Sequence, residues 1–496
     1  MPNRRSSPCL KTLCLKSISC HIDNIWCSGL DFLLENVARP LYIIGPFDHL
    51  TGDLTQELIQ VLSEDKKVQR RHFQFLIHEG LKEVNLTVAK SVANNDSVVQ
   101  LLGSRCRLLT KLELSGLNQV SPMTLIEVIE NMPRLSSVIL RQTKTNDRVL
   151  AAIADACENL RELDIFACPV SDKGAAGFCD KWQQKSTAKL SKLKKFDISG
   201  TKISVRGACQ ILLTFTNLEV FNFADVCAVL DSLSSGYSEQ RLSIQSLSSS
   251  CIKCMDLSAK AVEISCRMCP FVTQIHLFAG VDDGKIASLN SLKHLRVLEI
   301  ANVDREHVTF ETGILPLIMD IGSQLLKVSL YEINNIDLVL IGNFCCNLKS
   351  FSCVLSQFNE VVFTSTHEMP NRAAFHELRE LNFVLSSEIG DLPQDKLKLI
   401  LENGKLLKDV SLLNIQSLTS ELLQYVTQKH KFQELMTLTL ESCNQITDSG
   451  IWDLVSSNNC LKNLVLKDCF QITRQDFEKY QYFTQDNNFD LDITWQ

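Results

Sequence analysis

Four cysteines near the middle of the chain have the spacing of a metal site. They form two Cys-x-x-Cys pairs, Cys251 with Cys254 and Cys266 with Cys269, and eleven residues separate the pairs. Four thiolates at this spacing have the outline of a zinc site. A repeating apolar pattern in the same region offers another explanation, because it assigns Cys254 to a strand and Cys269 to the segment before the next strand. A helix between the pairs would hold the four sulfur atoms apart, so we predict no metal.

No other motif in the sequence indicates catalysis. The chain lacks a glycine-rich phosphate loop, an H-E-x-x-H zinc helix and a G-x-S-x-G nucleophile elbow. Its ten histidines are scattered and do not cluster in the sequence. We therefore predict that the protein is not an enzyme and needs no cofactor.

A six-residue apolar pattern, Leu-x-x-Leu-x-Leu, recurs about every 25 to 30 residues and predicts the architecture. The clearest copies are residues 109–114 (LTKLEL), 160–165 (LRELDI), 193–198 (LKKFDI), 295–300 (LRVLEI), 378–383 (LRELNF), 435–440 (LMTLTL) and 461–466 (LKNLVL). In the first copy, strand alternation places Leu112 and Leu114 on one side and Lys111 and Glu113 on the other. So short a strand covers its apolar side chains only by stacking against the next copy, and helical spacing follows, as at Val149 and Ile153. The pattern predicts strand–turn–helix units joined through one parallel sheet.

The turns after the strands carry a more specific signature. The stretch Leu440-Glu-Ser-Cys443-Asn-Gln-Ile446-Thr447-Asp448-Ser-Gly450 resembles the cysteine-containing leucine-rich repeat, and residues 165–174 are a second version. In that pattern the cysteine fits beneath the turn and Ser or Thr caps the helix. The resemblance covers about residues 79–496. It implies an α/β leucine-rich-repeat solenoid of the ribonuclease-inhibitor-like kind, a horseshoe with its parallel sheet on the concave face.

Composition limits the environments and partners of the chain. It has 496 residues, 45% of them hydrophobic, a net charge of −7 and a pI of about 5.9. The acidic balance disfavours nucleic acid as a ligand, and no apolar run approaches the length of a membrane span. Twenty cysteines without a secretory signal indicate reduced thiols. We expect a cytoplasmic or nuclear protein that binds neither nucleic acid nor membrane.

Residues 1–78 lack the repeat. We expect them to form a small helical segment before the solenoid of residues 79–496. Leu10, Leu13, Cys14 and Ile18 fall on one face of a helix. With Cys9 where Ser or Thr is usual, these residues resemble the BC box through which substrate receptors bind elongin C. The resemblance implies that Leu10 enters an apolar pocket on the adaptor and that Cys14 permits close approach. The alternative is an amphipathic helix that only caps the first repeat.

A second N-terminal stretch, from residue 44 to residue 62, predicts another helix. Pro46, Leu50 and Leu54 approximate the cullin box that follows a BC box, although Leu50 lies one position late. The same residues also resemble the opening of an F-box, which would imply a Skp-type adaptor. A purely structural cap helix is the third interpretation, and the spacing of about 30 residues from the first helix favours the cullin box.

Polar residues occupy the strand positions that should face the inner curve. They form a mostly acidic series at Glu113, Asp164, Asp197, Asp256, His276, Glu299, Glu380 and Asp409. One interpretation is a groove for a basic or polar segment of a protein substrate. The other is a solvated surface, since small polar and acidic residues are common at this position.

These patterns together predict a binding protein rather than an enzyme. The resemblances imply a substrate-recognition subunit of a cullin-RING ubiquitin ligase, with an elongin C-type adaptor at the N-terminal helices and a cullin scaffold behind it. The alternatives are an F-box-type receptor and a non-ligase scaffold or inhibitor.

Overall fold

The computed structural model describes residues 9–28, 45–64, 68–185, 192–224, 226–236, 246–249, 263, 266–277, 282–302, 308–355, 374–386, 391–457 and 459–496. They form two compact units, one within residues 8–247 and one within residues 248–496. We call these the N-terminal unit and the C-terminal unit, and each is described by itself.

The N-terminal unit begins with helices and continues as strand–helix repeats. Its helices are α1 (Leu10–Ile25), α2 (Gly52–Glu64), α3 (Phe73–Leu76), α4 (Lys90–Ala93), α5 (Asp96–Arg105), α6 (Pro122–Glu130), α7 (Asp147–Ala156), α8 (Asp172–Lys185), α9 (Val205–Thr214) and α10 (Val226–Gly236). Its strands are β1 (Glu83–Asn85), β2 (Lys111–Glu113), β3 (Ser137–Ile139), β4 (Glu162–Asp164), β5 (Lys195–Asp197) and β6 (Val220–Asn222), and β7 (Ser246–Ser249) follows. Short 3₁₀ turns occupy Arg70–His72 and Thr87–Ala89.

The C-terminal unit repeats the same order. Its strands are β8 (Gln274–Leu277), β9 (Val297–Ala301), β10 (Lys327–Tyr331), β11 (Ser350–Leu355), β12 (Glu380–Leu385), β13 (Asp409–Leu413), β14 (Thr437–Glu441), β15 (Asn463–Lys467) and β16 (Asp492–Trp495). Its helices are α11 (Asp283–Ala287), α12 (Leu315–Ile321), α13 (Leu338–Phe344), α14 (Gln394–Asn403), α15 (Ser420–His430), α16 (Asp448–Ser456) and α17 (Arg474–Asp486). A π-helical turn, Phe310–Ile314, leads into α12, and 3₁₀ turns cover Ser288–Ser291 and Gly322–Gln324.

Within each unit, consecutive strands pair in parallel and in exact register. Leu112 of β2 lies opposite Val138 of β3, and Leu438 of β14 lies opposite Leu464 of β15. These central residues are at most 3% exposed, and so are their equivalents in the neighbouring strands except Ile493 of the last strand, which is half-buried. Burying one such side chain contributes about 1.5–3 kcal/mol, and the core grows lengthwise as each repeat covers the last. The expected leucine-rich-repeat solenoid with a parallel sheet is confirmed within each unit.

The chain leaves eight of the described strands through a residue in the left-handed backbone conformation. This residue is the sixth from the strand's start: Gly116, Gln142, Ala167, Gly200, Glu332, Asn414, Ser442 and Asp468 all have φ between 50° and 74°. For seven of the eight, the N–H donates to a carbonyl of the following repeat, as from Gln142 to Phe166 at 2.8 Å. Because side chains disfavour this conformation, the stacking of repeats holds the turn in place.

The signature cysteines fulfil the predicted packing role. The thiols of Cys168, Cys443 and Cys469 donate to the carbonyls of Leu140, Leu412 and Leu440, at 3.0, 3.4 and 3.6 Å. These three carbonyls lie at equivalent positions of the preceding repeat. A small, buried, weakly donating side chain therefore satisfies an acceptor between adjacent turns.

A second connection between repeats joins the helix starts. The carboxylate of Asp147 at the start of α7 accepts from the backbone N–H and the hydroxyl of Ser171, at 2.8 and 2.7 Å. Asp172 binds Ser204 in the same way, with both distances 2.7 Å. A glycine three residues after each serine lies against the carboxylate, where a Cβ would clash. We call this Asp–Ser–Gly arrangement the helix latch.

Candidate protein-binding surfaces

Helix α1 buries one face and leaves its apolar start open. Leu15, Ser19 and Ile22 are buried, whereas Leu10 is 77% and Leu13 is 49% exposed. Isolated exposed leucines are ordinary, but two within one turn are an apolar surface without a cover in the described residues. The side chains that resemble the BC box therefore lie mainly on the outer face of α1.

The other BC-box-like residues differ in their exposure to solvent. Cys9 and Cys14 are exposed, and Ile18 is half-buried, so this face turns toward the unit as the helix proceeds. A hydrogen bond donated by the hydroxyl of Thr12 to the sulfur lowers the pKa of Cys9. The N-terminal turn of α1 is consequently the most accessible part of the predicted adaptor surface.

Polar contacts fix the position of α1 on the rest of the N-terminal unit. Lys11 pairs with Glu57 of α2 at 2.7 Å. At the other end, the rings of Trp26 and Phe47 meet edge to face with centroids 5.1 Å apart. The exposed ion pair is weak by itself, but together with the ring contact on the buried Phe47 it holds both ends of the helix.

A cluster of Asp23, Cys27 and His72 could be mistaken for a metal site, because their donor atoms lie within 4.8 Å of one another. The backbone N–H of Gln69 donates to Nδ1 of His72 at 3.1 Å, so the proton of the neutral ring is on Nε2, which donates to Asp23 at 2.8 Å. A metal on Nε2 would need the opposite tautomer. Asp23 also accepts from the guanidinium of Arg71 at 2.9 Å. Burial alone would raise the pKa of Asp23, but the bonds from His72 and Arg71 lower it. The cluster is an internal hydrogen-bond network.

The second predicted stretch forms α2, as expected. Pro46 is exposed just before the helix, while Leu50 and Leu54 are half-buried. The next apolar turns, at Leu58 and Leu62, are fully buried. The cullin-box-like residues therefore lie at the margin of the unit, and most of α2 supports α1 and the first repeat.

Three of the predicted substrate-binding residues align on the sheet of the N-terminal unit. Glu113, Asp164 and Asp197 occupy the third position of their strands, and Asp164 is the register partner of Asp197. Arg141 lies between the last two, 3.5 Å from Asp164 and 4.0 Å from Asp197, and its guanidinium stacks over Phe166 at 4.6 Å. Burial, followed by the charge of Asp197, raises the pKa of Asp164 to about 6. Sequence reasoning missed Arg141, which lies beyond the strand; aligning the repeats would have placed it beside the acidic row.

His276 and Glu299 meet each other in the C-terminal unit. Nδ1 of His276 is 2.6 Å from Glu299, and Nζ of Lys327 is 2.8 Å from the other carboxylate oxygen. Burial would raise the pKa of Glu299, but the bonds from Lys327 and His276 outweigh it and lower the pKa. This carboxylate already has two partners. Asp256, the remaining predicted residue, lies outside the described residues.

A polar row continues across the next strands. Ser329, Ser352, Asn382, Ser411 and Thr439 are successive register partners at the third strand position. They line an open depression of about 440 Å³ on the sheet, bordered by the exposed Glu380 and Asp409. The hydroxyl of Ser329 is buried without a hydrogen-bond partner in the described structure. An unsatisfied buried hydroxyl is costly, and this one lies where a ligand could approach.

The cysteines in the described residues show no sign of nucleophilic activation at the sheet. Burial raises the pKa of Cys266 to about 11 and that of Cys269 to about 12. Their predicted zinc partners, Cys251 and Cys254, lie outside the described residues.

The comparisons with known proteins agree with the repeat architecture. A family profile described as Leucine Rich repeat matches residues 156–179, the repeat around β4. No curated protein sequence matches the chain. Among the described helices, none has the length and apolar character required to span a membrane.

Solved structures resemble the chain at the level of fold. Rad7 in the yeast Rad7–Elc1 complex is 14% identical, with 90% of this chain and 96% of that chain covered and a TM-score of 0.49. An internalin of Listeria monocytogenes is 12% identical, with 91% and 97% covered and a TM-score of 0.35. A leucine-rich-repeat protein of Leptospira interrogans is 13% identical, with 94% and 98% covered and a TM-score of 0.34. Folds of this class typically serve as interaction scaffolds.

Proposed function

We propose that this protein is a substrate receptor of a cullin-type ubiquitin ligase. It binds an elongin C-type adaptor through α1 and a protein substrate through the repeat sheet. The supporting observation is the exposure of α1, where Leu10 and Leu13 face outward while Leu15 and Ile22 anchor the helix. A helix that served only to seal the first repeat would bury its most apolar turn.

The receptor itself breaks and forms no bond. Its role is proximity, since it holds a substrate on one surface and an adaptor with its cullin on another. The depression along Ser329, Asn382 and Ser411 supports a protein-binding role for the sheet, because hydroxyl and amide groups match the polar groups of a peptide. We place this function in the cytoplasm or nucleus, where twenty cysteines would stay reduced.

The adaptor interaction is tested by replacing Leu10 with Ala together with Cys14 with Phe in the full-length chain. The first change removes the apolar anchor and the second blocks close approach, so elongin C should no longer co-purify. Ser17→Ala, another exposed position of α1, is the matched control and should retain it. Circular dichroism verifies that each variant is folded.

The alternative receptors give different results in the same experiment. Co-purification of a Skp-type adaptor, lost on replacing Leu50 and Leu54 but not Leu10, would move the protein to the F-box class. Elongin C that stays bound to the double variant would refute the α1 interface. A chain that purifies with neither adaptor is the non-ligase scaffold.

A further inference from the structure

A row of cations follows one margin of the sheet in the C-terminal unit. Each residue immediately precedes a strand: Arg296, Lys349, Arg379, Lys408 and Lys462, before β9, β11, β12, β13 and β15. Four of the five are exposed, and Lys408 is half-buried. We call this row the basic margin.

Backbone hydrogen bonds fix the spacing of the basic margin. The N–H of Arg379 donates to the carbonyl of Lys349 at 2.8 Å, and that of Lys408 donates to Arg379 at 2.7 Å. Successive cations on neighbouring strands are therefore about 4.8 Å apart at the backbone. Six strand intervals separate Arg296 from Lys462, so the margin is about 29 Å long.

The cations of the basic margin are not neutralised internally. In the part of the chain that the structure describes, none of the five has a carboxylate ion-pair partner, whereas Lys327 and Lys467 on the adjoining sheet are paired. A chain of net charge −7 that keeps aligned, unpaired cations at one place presents a local field of opposite sign.

One end of the margin is also concave. An open depression of about 390 Å³ is lined by Lys293, His294, Arg296 and Lys349, with a single carboxylate, Glu377, in the described lining. A carboxylate side chain entering it would find several donors around one position.

We propose that the basic margin binds an acidic, extended segment of a protein partner. At about 3.4 Å per residue, nine extended residues cover its length, and alternate Asp or Glu side chains meet the cations. A nucleic acid fits less well, because phosphates are densely spaced along its whole backbone. Some of them would lie against the carboxylates of Glu380 and Asp409, which directly follow Arg379 and Lys408. This surface is independent of the adaptor helix and distinct from the polar row.

The test is fluorescence anisotropy with a fluorescein-labelled peptide of alternating Glu and Gly, about nine residues long, added to the full-length protein. Binding should weaken as salt is raised, and Arg379→Glu with Lys408→Glu should weaken it about tenfold or more. Lys144→Glu with Lys173→Glu is the control: both lysines are exposed and lack ion pairs in the described structure, and the net charge changes equally. A neutral pair, Arg379→Gln with Lys408→Gln, should give an intermediate loss.

Three outcomes would overturn the proposal. In the first, the peptide does not bind at low salt. In the second, the control pair weakens binding as much as the margin pair, which would show that binding responds only to the overall charge of the protein. In the third, a labelled single-stranded DNA of equal charge binds more tightly and loses that binding in the margin variant, which would assign the margin to nucleic acid. Circular dichroism on all variants, with the neutral pair as the second test, separates loss of binding from loss of fold.

Discussion

The helix latch between α7 and α8 gives the most quantitative prediction. A Cβ added at Gly174 would press against the carboxylate of Asp147, while its closest backbone neighbour, Cα of the same aspartate, lies at 3.1 Å. Gly174→Ala should therefore push the carboxylate away from Ser171. In the same helix, Gly177 has no atom within 4 Å of its ideal Cβ, so Gly177→Ala is a matched control.

The magnitudes follow from these contacts. Asp147→Ala removes two charge-assisted hydrogen bonds from a half-exposed site, a cost of about 1–2 kcal/mol. Gly174→Ala loses the same bonds and adds crowding of about 1–3 kcal/mol, offset by up to about 1 kcal/mol of helix propensity. With Asp147 already Ala, Gly174→Ala should be neutral or slightly stabilising. The two changes should therefore couple by the sum of the lost bonds and the crowding, about 2–5 kcal/mol, whereas Gly177→Ala should stabilise by about 0.5–1 kcal/mol in either background.

Hydrogen exchange read by mass spectrometry is the suitable assay, because repeat proteins open locally and a single global midpoint would average over the chain. The peptide covering Ser171 and α8 reports the local free energy of opening in the four variants and the control. The reasoning fails if Gly174→Ala costs the same with and without Asp147, or if Gly177→Ala costs as much as Gly174→Ala.

Two further predictions concern titrating groups. The raised pKa of Asp164 means that the folded state holds the carboxyl proton more tightly than the unfolded chain does. The protonated carboxyl therefore contributes to stability below about pH 4, and this contribution is lost as the pH rises through about 6. Asp164→Asn should consequently raise the thermal midpoint at pH 7.5, by the equivalent of about 1–3 kcal/mol, but not at pH 4; an equal effect at both would contradict the assignment. In the native protein at pH 7.5, iodoacetamide should label Cys9 quickly and leave Cys106 and Cys443 unmodified, since burial raises the pKa of both to about 12. Peptide mapping measures this, and labelling of Cys443 before unfolding would refute the buried-thiol packing.

The sequence was sufficient for the repeat because its chemistry is local. Leu112 and Leu114 alternate within one strand, and the position of Cys443 after its strand can be read without knowing the next repeat. The bonds that join repeats were not predictable in this way. Asp147 and Ser171 are separated by a whole repeat, and their pairing depends on the register of stacked helices.

The candidate surfaces were predictable in part. Helical spacing placed Leu10 and Cys14 on one face, but it could not tell that Ile18 would turn toward the interior. The described members of the acidic series lie on strands, as predicted. Lys327, also at a strand position, pairs with Glu299, whereas Arg141 partly neutralises Asp164 and Asp197 from a position that the strand pattern did not include. The boundary at residue 79 and the assigned binding residues stay predictions until the binding experiments are done.

The side chain of Gln56 has a consequence for any shortened form of the protein. Its amide donates to the carbonyl of Asn85 at 2.9 Å and accepts from the N–H of Asn85 at 3.1 Å. It thereby pairs with the free edge of β1 as another strand would. Removing the first 78 residues would expose that edge and promote self-association. A truncated chain that precipitates or dimerises would reveal an exposed strand rather than a missing adaptor, so point variants are the sounder test of the N-terminal helices.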